Sequence, residues 1–182
     1  MKISRLLQAV LICTVIAFAT PTPSRGEDKP KRLTISDYFV MLPEGSLETS
    51  AASWLRFLRQ PDCGVEDKAN GFLSCTGDGA QPPFEVALFR FKDDRPLLAV
   101  CQAELEGRRN VYVQLDFYEL DDKGRMVKAS RSIFPVKDST ARRSEHSFGL
   151  PRKGRTVLVR DASSGKVRQK FTWTGERFVE EK

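Results

Sequence analysis

One histidine, His146, serves all 182 residues. A single imidazole and a few scattered cysteines do not make a zinc site of ordinary ligand spacing. Gly77-Asp78-Gly79 resembles a fragment of a calcium loop, but the repeated oxygen ligands that such a loop needs are missing. The chain has no Gly-rich phosphate loop, no dinucleotide fingerprint and no Gly-x-Ser-x-Gly turn. No basic run is interleaved with aromatics in the manner of a nucleic-acid reader. These absences point to no metal, no cofactor and no nucleic acid, and they assign no catalytic residue.

Long apolar runs are as scarce. The one candidate is Leu6 to Ala19, which is uncharged, follows Lys2 and Arg5, and ends in Ala17-Phe18-Ala19. A positive start, an apolar stretch and small residues at the cut form the order of a cleavable signal peptide, here residues 1–19. A membrane span needs about 20 apolar residues, and this run stops short at Thr20-Pro21-Thr22-Pro23. Cys13 does not read as a lipoprotein site, since Ile12 before it is bulky and the position is early. The chain is thus expected to be exported to the periplasm or beyond, with no transmembrane anchor once the signal is removed. Residues 20–36 are rich in Pro, Lys, Arg and Ser and read as a flexible leader. Residues 37–182 suffice for a single β-rich domain with a core of its own.

Cysteine is limited to Cys63, Cys75 and Cys101 beyond the signal. Export makes a disulfide plausible, and three thiols allow one bridge within the chain. Lys68-Ala69-Asn70-Gly71 reads as a turn. A hairpin centred on Ala69 sets Cys63 opposite Cys75, the expected pair. Cys101 lies in the apolar run Leu97 to Cys101 and reads as a buried thiol.

Two short helices come first. Thr34 caps one from Ile35 to Leu42, with Asp37 in its first turn and Pro43 closing it. A second starts near Ser46 and gathers Leu47, Ala51, Trp54, Leu55 and Leu58 on one face until Pro61. Thereafter the period is two. Strands are expected over Gly71–Cys75, Phe84–Phe91, Leu97–Ala103, Val111–Tyr118, Arg125–Phe134, Val157–Arg160, Val167–Trp173 and Arg177–Glu180, with a polar loop at Lys137–Glu145. Val111, Val113, Leu115 and Phe117 face one way, and Tyr112, Gln114, Asp116 and Tyr118 the other. The last hairpin keeps its faces sorted only with an odd loop that holds Gly165 or a neighbour at positive φ, Val157 opposite Phe171 and Arg160 opposite Arg168. Successive hairpins with charged turns imply an α+β, mostly β fold: an antiparallel meander, closed as a sandwich or partly closed barrel, with two short N-terminal helices.

The net charge of +6 conceals an imbalance. Residues 37–122 hold 8 Lys/Arg against 16 Asp/Glu, and residues 123–182 hold 16 against 6. The charges of the two halves can offset each other within one sheet system, or the basic half can meet an anionic partner. Candidate contacts for such a partner are Arg160, Arg168 and Lys170 on the outer face of the last hairpin, with Arg142, Arg143, Arg152 and Lys153 in the preceding loops. Tyr112 and Tyr118 are a second outward pair. The adjacent acids Asp93-Asp94 and Asp121-Asp122 sit at hairpin tips and read as solvated turns.

Several short stretches also carry a resemblance. Asp37-Tyr38-Phe39 with Leu42-Pro43, Asn70-Gly71-Phe72-Leu73, Gly77-Asp78-Gly79-Ala80, Ala87-Leu88-Phe89 and Pro96-Leu97-Leu98-Ala99-Val100 resemble small secreted bacterial proteins of unknown function. Leu150-Pro151-Arg152-Lys153-Gly154, Val157 to Arg160 and Trp173 are similar too, so the resemblance spans most of residues 37–180. It implies an exported bacterial protein and brings no activity with it. The expected function is a non-catalytic binding or interaction domain of the bacterial envelope, with an anionic envelope component or another exported protein as its partner. Two alternatives stay open: a small periplasmic hydrolase using Cys101 and His146, and an inhibitor of a foreign hydrolase.

Overall fold

The computed structural model describes residues 32–47, 49–77, 82–106, 109–136 and 145–182. Residues 1–19, expected to be a signal peptide, most of the expected leader, Gly79 and the basic pair Arg142 and Arg143 lie outside the described residues. Helix α1 (Ile35–Phe39) starts where the acidic first turn predicts. The Asp37 carboxylate accepts from both the backbone N–H and the hydroxyl of Thr34, each at 2.7 Å, which ties down the first turn. Ile35 and Ser36, placed in the leader by composition, are buried in this helix. Helix α2 (Ala51–Leu58) is capped by Ser50, whose hydroxyl accepts from the Ser53 N–H, so it begins later than Ser46.

Six strands follow as one antiparallel meander: β1 (Gly64–Asp67), β2 (Phe72–Cys75), β3 (Phe84–Arg90), β4 (Pro96–Glu106), β5 (Arg109–Leu120) and β6 (Met126–Lys128). After a 3-10 turn at Arg131–Ile133, four more make a second antiparallel sheet: β7 (His146–Gly149), β8 (Thr156–Asp161), β9 (Val167–Trp173) and β10 (Phe178–Glu180), in the order β10-β9-β8-β7. The sheets face each other as a sandwich.

Period-two patterning sorts the side chains into two cores. Between the sheets lie Phe89, Ala99, Phe117, Phe134, Val157, Val159, Phe171, Trp173 and Phe178, among others. Their rings interlock; Phe178 meets Trp173 at 4.9 Å and Phe134 at 5.1 Å between centroids. On the far side of the first sheet, Ile35, Phe39, Trp54, Leu55 and Leu58 pack on Leu73, Phe84, Val86, Leu98 and Val100. The helices therefore form a third layer over a sheet face.

Two registers depart from the sequence expectation. Gly64 pairs with Cys75, and the Thr76 N–H donates to the Cys63 carbonyl at 3.0 Å. This is one residue off a hairpin centred on Ala69, and a one-residue slip sends a side chain to the opposite face. Cys63 and Cys75 thus point to opposite sides of the ladder, and Cys63, Cys75 and Cys101 are all thiols. The disulfide expectation is corrected accordingly. Where β4 pairs with β5, the register shifts between Gln102 and Ala103 of β4, so that Gln102 faces Gln114 while Ala103 faces Tyr112. Val113 is the extra residue of this bulge. It turns Tyr112 toward the inter-sheet core, against which it packs. Tyr118, still in phase, is buried beneath the helices. Neither tyrosine forms an outward contact surface.

Candidate functional site

The final hairpin meets its parity condition by an unexpected route. Val157 does face Phe171, but the ladder then shifts and Arg160 faces Val167. Arg168 is the extra residue of a bulge, and Ala162–Gly165 form the turn with Gly165 at φ 70°. The Asp161 carboxylate organises that turn. It accepts from the Ser163 hydroxyl at 2.6 Å and from the Ser164 backbone N–H at 2.7 Å, and it pairs with the Arg168 guanidinium. These donors, led by Ser163, hold the Asp161 carboxyl well below the usual carboxylate range.

The expected basic surface is consequently divided. Arg168 is neutralised by Asp161. Arg160 turns away toward a cleft, its Nη1 donating to the Gly165 carbonyl at 3.4 Å. Lys170 is exposed on β9, opposite Leu158. Arg152 is exposed but its Nε pairs with Asp67 at 2.8 Å, while Lys153 beside it is exposed. The Asp67 carboxyl is pulled down to about 2, chiefly by that Arg152 contact.

Cations assemble elsewhere. In an antiparallel meander alternate turns lie at the same end, so the β1–β2 and β3–β4 turns are neighbours. Together with the β7–β8 loop, the β9–β10 turn and the chain entering α1, they enclose a groove of about 640 Å³. Its lining includes Arg32, Lys68, Arg90, Lys92 and Arg155, with Asp94 as its one carboxylate among the described residues. Charge in and around the groove is only partly matched. Arg32 and Arg90 share Asp94, Arg59 and Lys68 share Glu66, and Lys92 pairs with Glu176 at 2.8 Å. Arg155 is exposed and has no ion pair among the described residues. Arg90 also braces the fold, since it donates to the Asp94 and Leu33 carbonyls at 2.9 and 3.1 Å and lies over the Tyr38 ring. Trp173 lines the base but is fully covered, with its indole N–H donating to the Arg90 carbonyl at 2.7 Å.

A second cleft, about 370 Å³, opens beside β7 and is lined by Glu85, Tyr112, Phe148, Gly149, Leu158 and Arg160, among others. Glu85 shares the inward phase of β3 with Ala87 and Phe89 and faces Cys101 across the ladder. Its Oε2 accepts from the Leu150 N–H at 3.0 Å. Burial raises the Glu85 carboxyl above its ordinary value, against the opposing pull of that N–H and of Arg160. Burial, with the Glu85 charge second, pushes the Tyr112 hydroxyl to about 12.

Of the pair named for a hydrolase, Cys101 is fully buried on β4 and His146 is half-buried at the start of β7, opposite Asp161. Among the described residues no group of His, Cys, Asp and Glu is arranged to hold a metal ion, and no helix is long and apolar enough to cross a membrane.

Lys68, Lys92, Arg155 and Glu85 were missed by sequence reasoning. The three cations come from separate turns, so no run of basic residues marks them. Hairpin parity would have placed the Lys68 and Lys92 turns together. Glu85 could have been noticed as an acid in the inward phase of an apolar strand. No protein-family model, curated protein or solved structure matches the chain.

Proposed function

We propose that this is an exported, non-catalytic binding domain of the bacterial envelope whose ligand is anionic and lies in the groove at the Arg155 end of the sandwich. The observation that carries the reading is the lining of that groove, which among the described residues presents five Lys and Arg side chains and a single carboxylate. Two cations share one carboxylate at Asp94 and again at Glu66, so the surrounding ion pairs leave a positive surplus. Such a concave surplus attracts anions and raises their local concentration. Export is supported by the charged, apolar and small-residue order of residues 1–19. A thiol nucleophile must be reached by its substrate, and the full burial of Cys101 weighs on the side of binding.

The test uses labelled polyphosphate as a soluble anionic polymer, titrated into the protein at low and high salt. The affinity is expected to fall with added salt, because exposed charges are screened. Lys68→Glu with Arg155→Glu reverses two exposed charges of the lining, and is expected to weaken binding by about tenfold or more. Affinity indifferent to salt, or equal in the double variant, would overturn the reading.

A further inference from the structure

The cleft beside β7 differs in chemistry from the basic groove, and its ligand is independent of the one in the groove. Among the described residues it holds one carboxylate, Glu85, and one guanidinium, Arg160, between apolar walls that include Val111, Phe148 and Leu158. We propose that this cleft binds a small zwitterion, an α-amino acid with an apolar side chain, whose ammonium meets Glu85 and whose carboxylate meets Arg160.

Three features of the geometry carry the assignment. Glu85 is stationed on the inter-sheet face of β3, where its neighbours in phase, Ala87 and Phe89, are core residues. The Leu150 N–H fixes one oxygen, and an ionised carboxylate can accept further donors. Arg160 reaches the cleft over Gly149. A Cβ built on Gly149 would lie 3.6 Å from Arg160 Nε and 4.0 Å from Nη2, which places the guanidinium directly against this strand at the mouth of the cleft. The hydrogen bond that anchors it among the described residues is long, 3.4 Å to the Gly165 carbonyl, and a guanidinium has five N–H donors to place. Finally, Arg160 and Glu85 line the same cleft, yet no hydrogen bond or ion pair joins them. Withdrawing opposite charges from water and leaving them apart is costly. A ligand that carries the complementary charges at its two ends satisfies both.

The walls select the rest of the ligand. Val111, Phe148 and Leu158 suit an aliphatic side chain, and about 370 Å³ lies near the lower end for small-molecule sites. A single amino acid fits such a space better than a polymer does. Burial of Glu85 is consistent with this, since the carboxylate is most strongly favoured when a cation sits beside it.

Isothermal titration of the full chain with L-leucine, leucinamide and N-acetyl-leucine tests the proposal without any variant. Leucine is expected to bind saturably. Each analogue, having lost one charged end, is expected to bind at least about tenfold more weakly. Glu85→Gln, which keeps an oxygen acceptor for Leu150, is expected to weaken leucine by a similar factor. It should leave N-acetyl-leucine, which has no ammonium, unchanged. No saturable binding of leucine, equal binding of the three compounds, or an unchanged leucine affinity in Glu85→Gln would each overturn it.

Discussion

Glu66 sits where α1, α2 and β1 meet. Its carboxylate takes two bonds from Arg59, at 2.8 and 2.9 Å, and one from the hydroxyl of buried Ser36 at 2.6 Å. Arg59 chiefly lowers its pKa from 4.5 to about 2. A carboxyl with a depressed folded value contributes stability above the unfolded value and loses it as pH falls through the folded one. The contribution of Glu66 is therefore present above pH 4.5 and lost on acidification toward about 2. Glu66→Ala is expected to flatten this part of the acid-denaturation profile. At neutral pH, urea unfolding should show a loss of about 1–3 kcal/mol, because a buried hydroxyl is left without its acceptor. Glu85 has the opposite sign. Its folded value is raised by burial, so its ionised form lowers stability at neutral pH, and stability recovers as pH falls through the folded value toward the unfolded one. The charged and titratable groups facing it among the described residues are Arg160, Tyr112 and Cys101. Glu85→Gln should be at least as stable as the parent at neutral pH in a thermal melt. A lower melting temperature would show that Arg160 favours the carboxylate by more than burial costs it. None of this was legible in the sequence, because the consequence of an acid in a strand depends on which face its neighbours cover.

The elements themselves were largely legible. Thr34 begins its helix as the sequence announces, whereas the second helix starts at the Ser50 cap and not near Ser46; period-two runs found most of the strands. Parity errors account for what was misread. A bulge adds one residue with no compositional mark, so Tyr112 turned inward and Arg160 lost Arg168 as its partner. The β1–β2 register slipped by one for a reason that is visible in three dimensions. Gly64 packs against both α2 and β2, and a Cβ there would lie 2.3 Å from the Ser74 carbonyl oxygen and 3.0 Å from Leu58 Cβ. Only glycine lets the hairpin and the helix come together at this point. Gly64→Ala is expected to cost roughly 3 kcal/mol or more, since neither a backbone oxygen nor a core Cβ can yield cheaply. Gly124, at φ 72° with nothing near its Cβ, makes the control. Gly124→Ala meets backbone strain alone and should cost about 1 kcal/mol. Denaturant midpoints of the two variants, at unchanged slope, measure the difference. Similar costs would mean that β1 moves away to accommodate the methyl group.

At the scale of the whole molecule, the acidic first half and basic second half fold into opposed layers, and some of the imbalance is offset across them. Arg152 of the second half meets Asp67 of the first, and Lys92 of the first meets Glu176 of the second. What remains unmatched was hard to locate from sequence, because residue order concentrates charge on the last hairpin whereas the fold exposes it in the groove. Arg168 is spent on Asp161, and Arg160 belongs to the cleft. Lys170 lies near Glu181, whose carboxyl it helps to hold down after Thr172 and Thr156. Charge reversal distinguishes the two surfaces. Lys170→Glu and Arg155→Glu change the net charge equally, so any effect of overall charge on polyphosphate affinity must be the same in both. If the groove is the site, Arg155→Glu should weaken binding several-fold beyond Lys170→Glu at low salt, and the gap should close as salt screens the local field. Equal losses would assign the attraction to net charge, and a larger loss in Lys170→Glu would move the site to the outer face of β9.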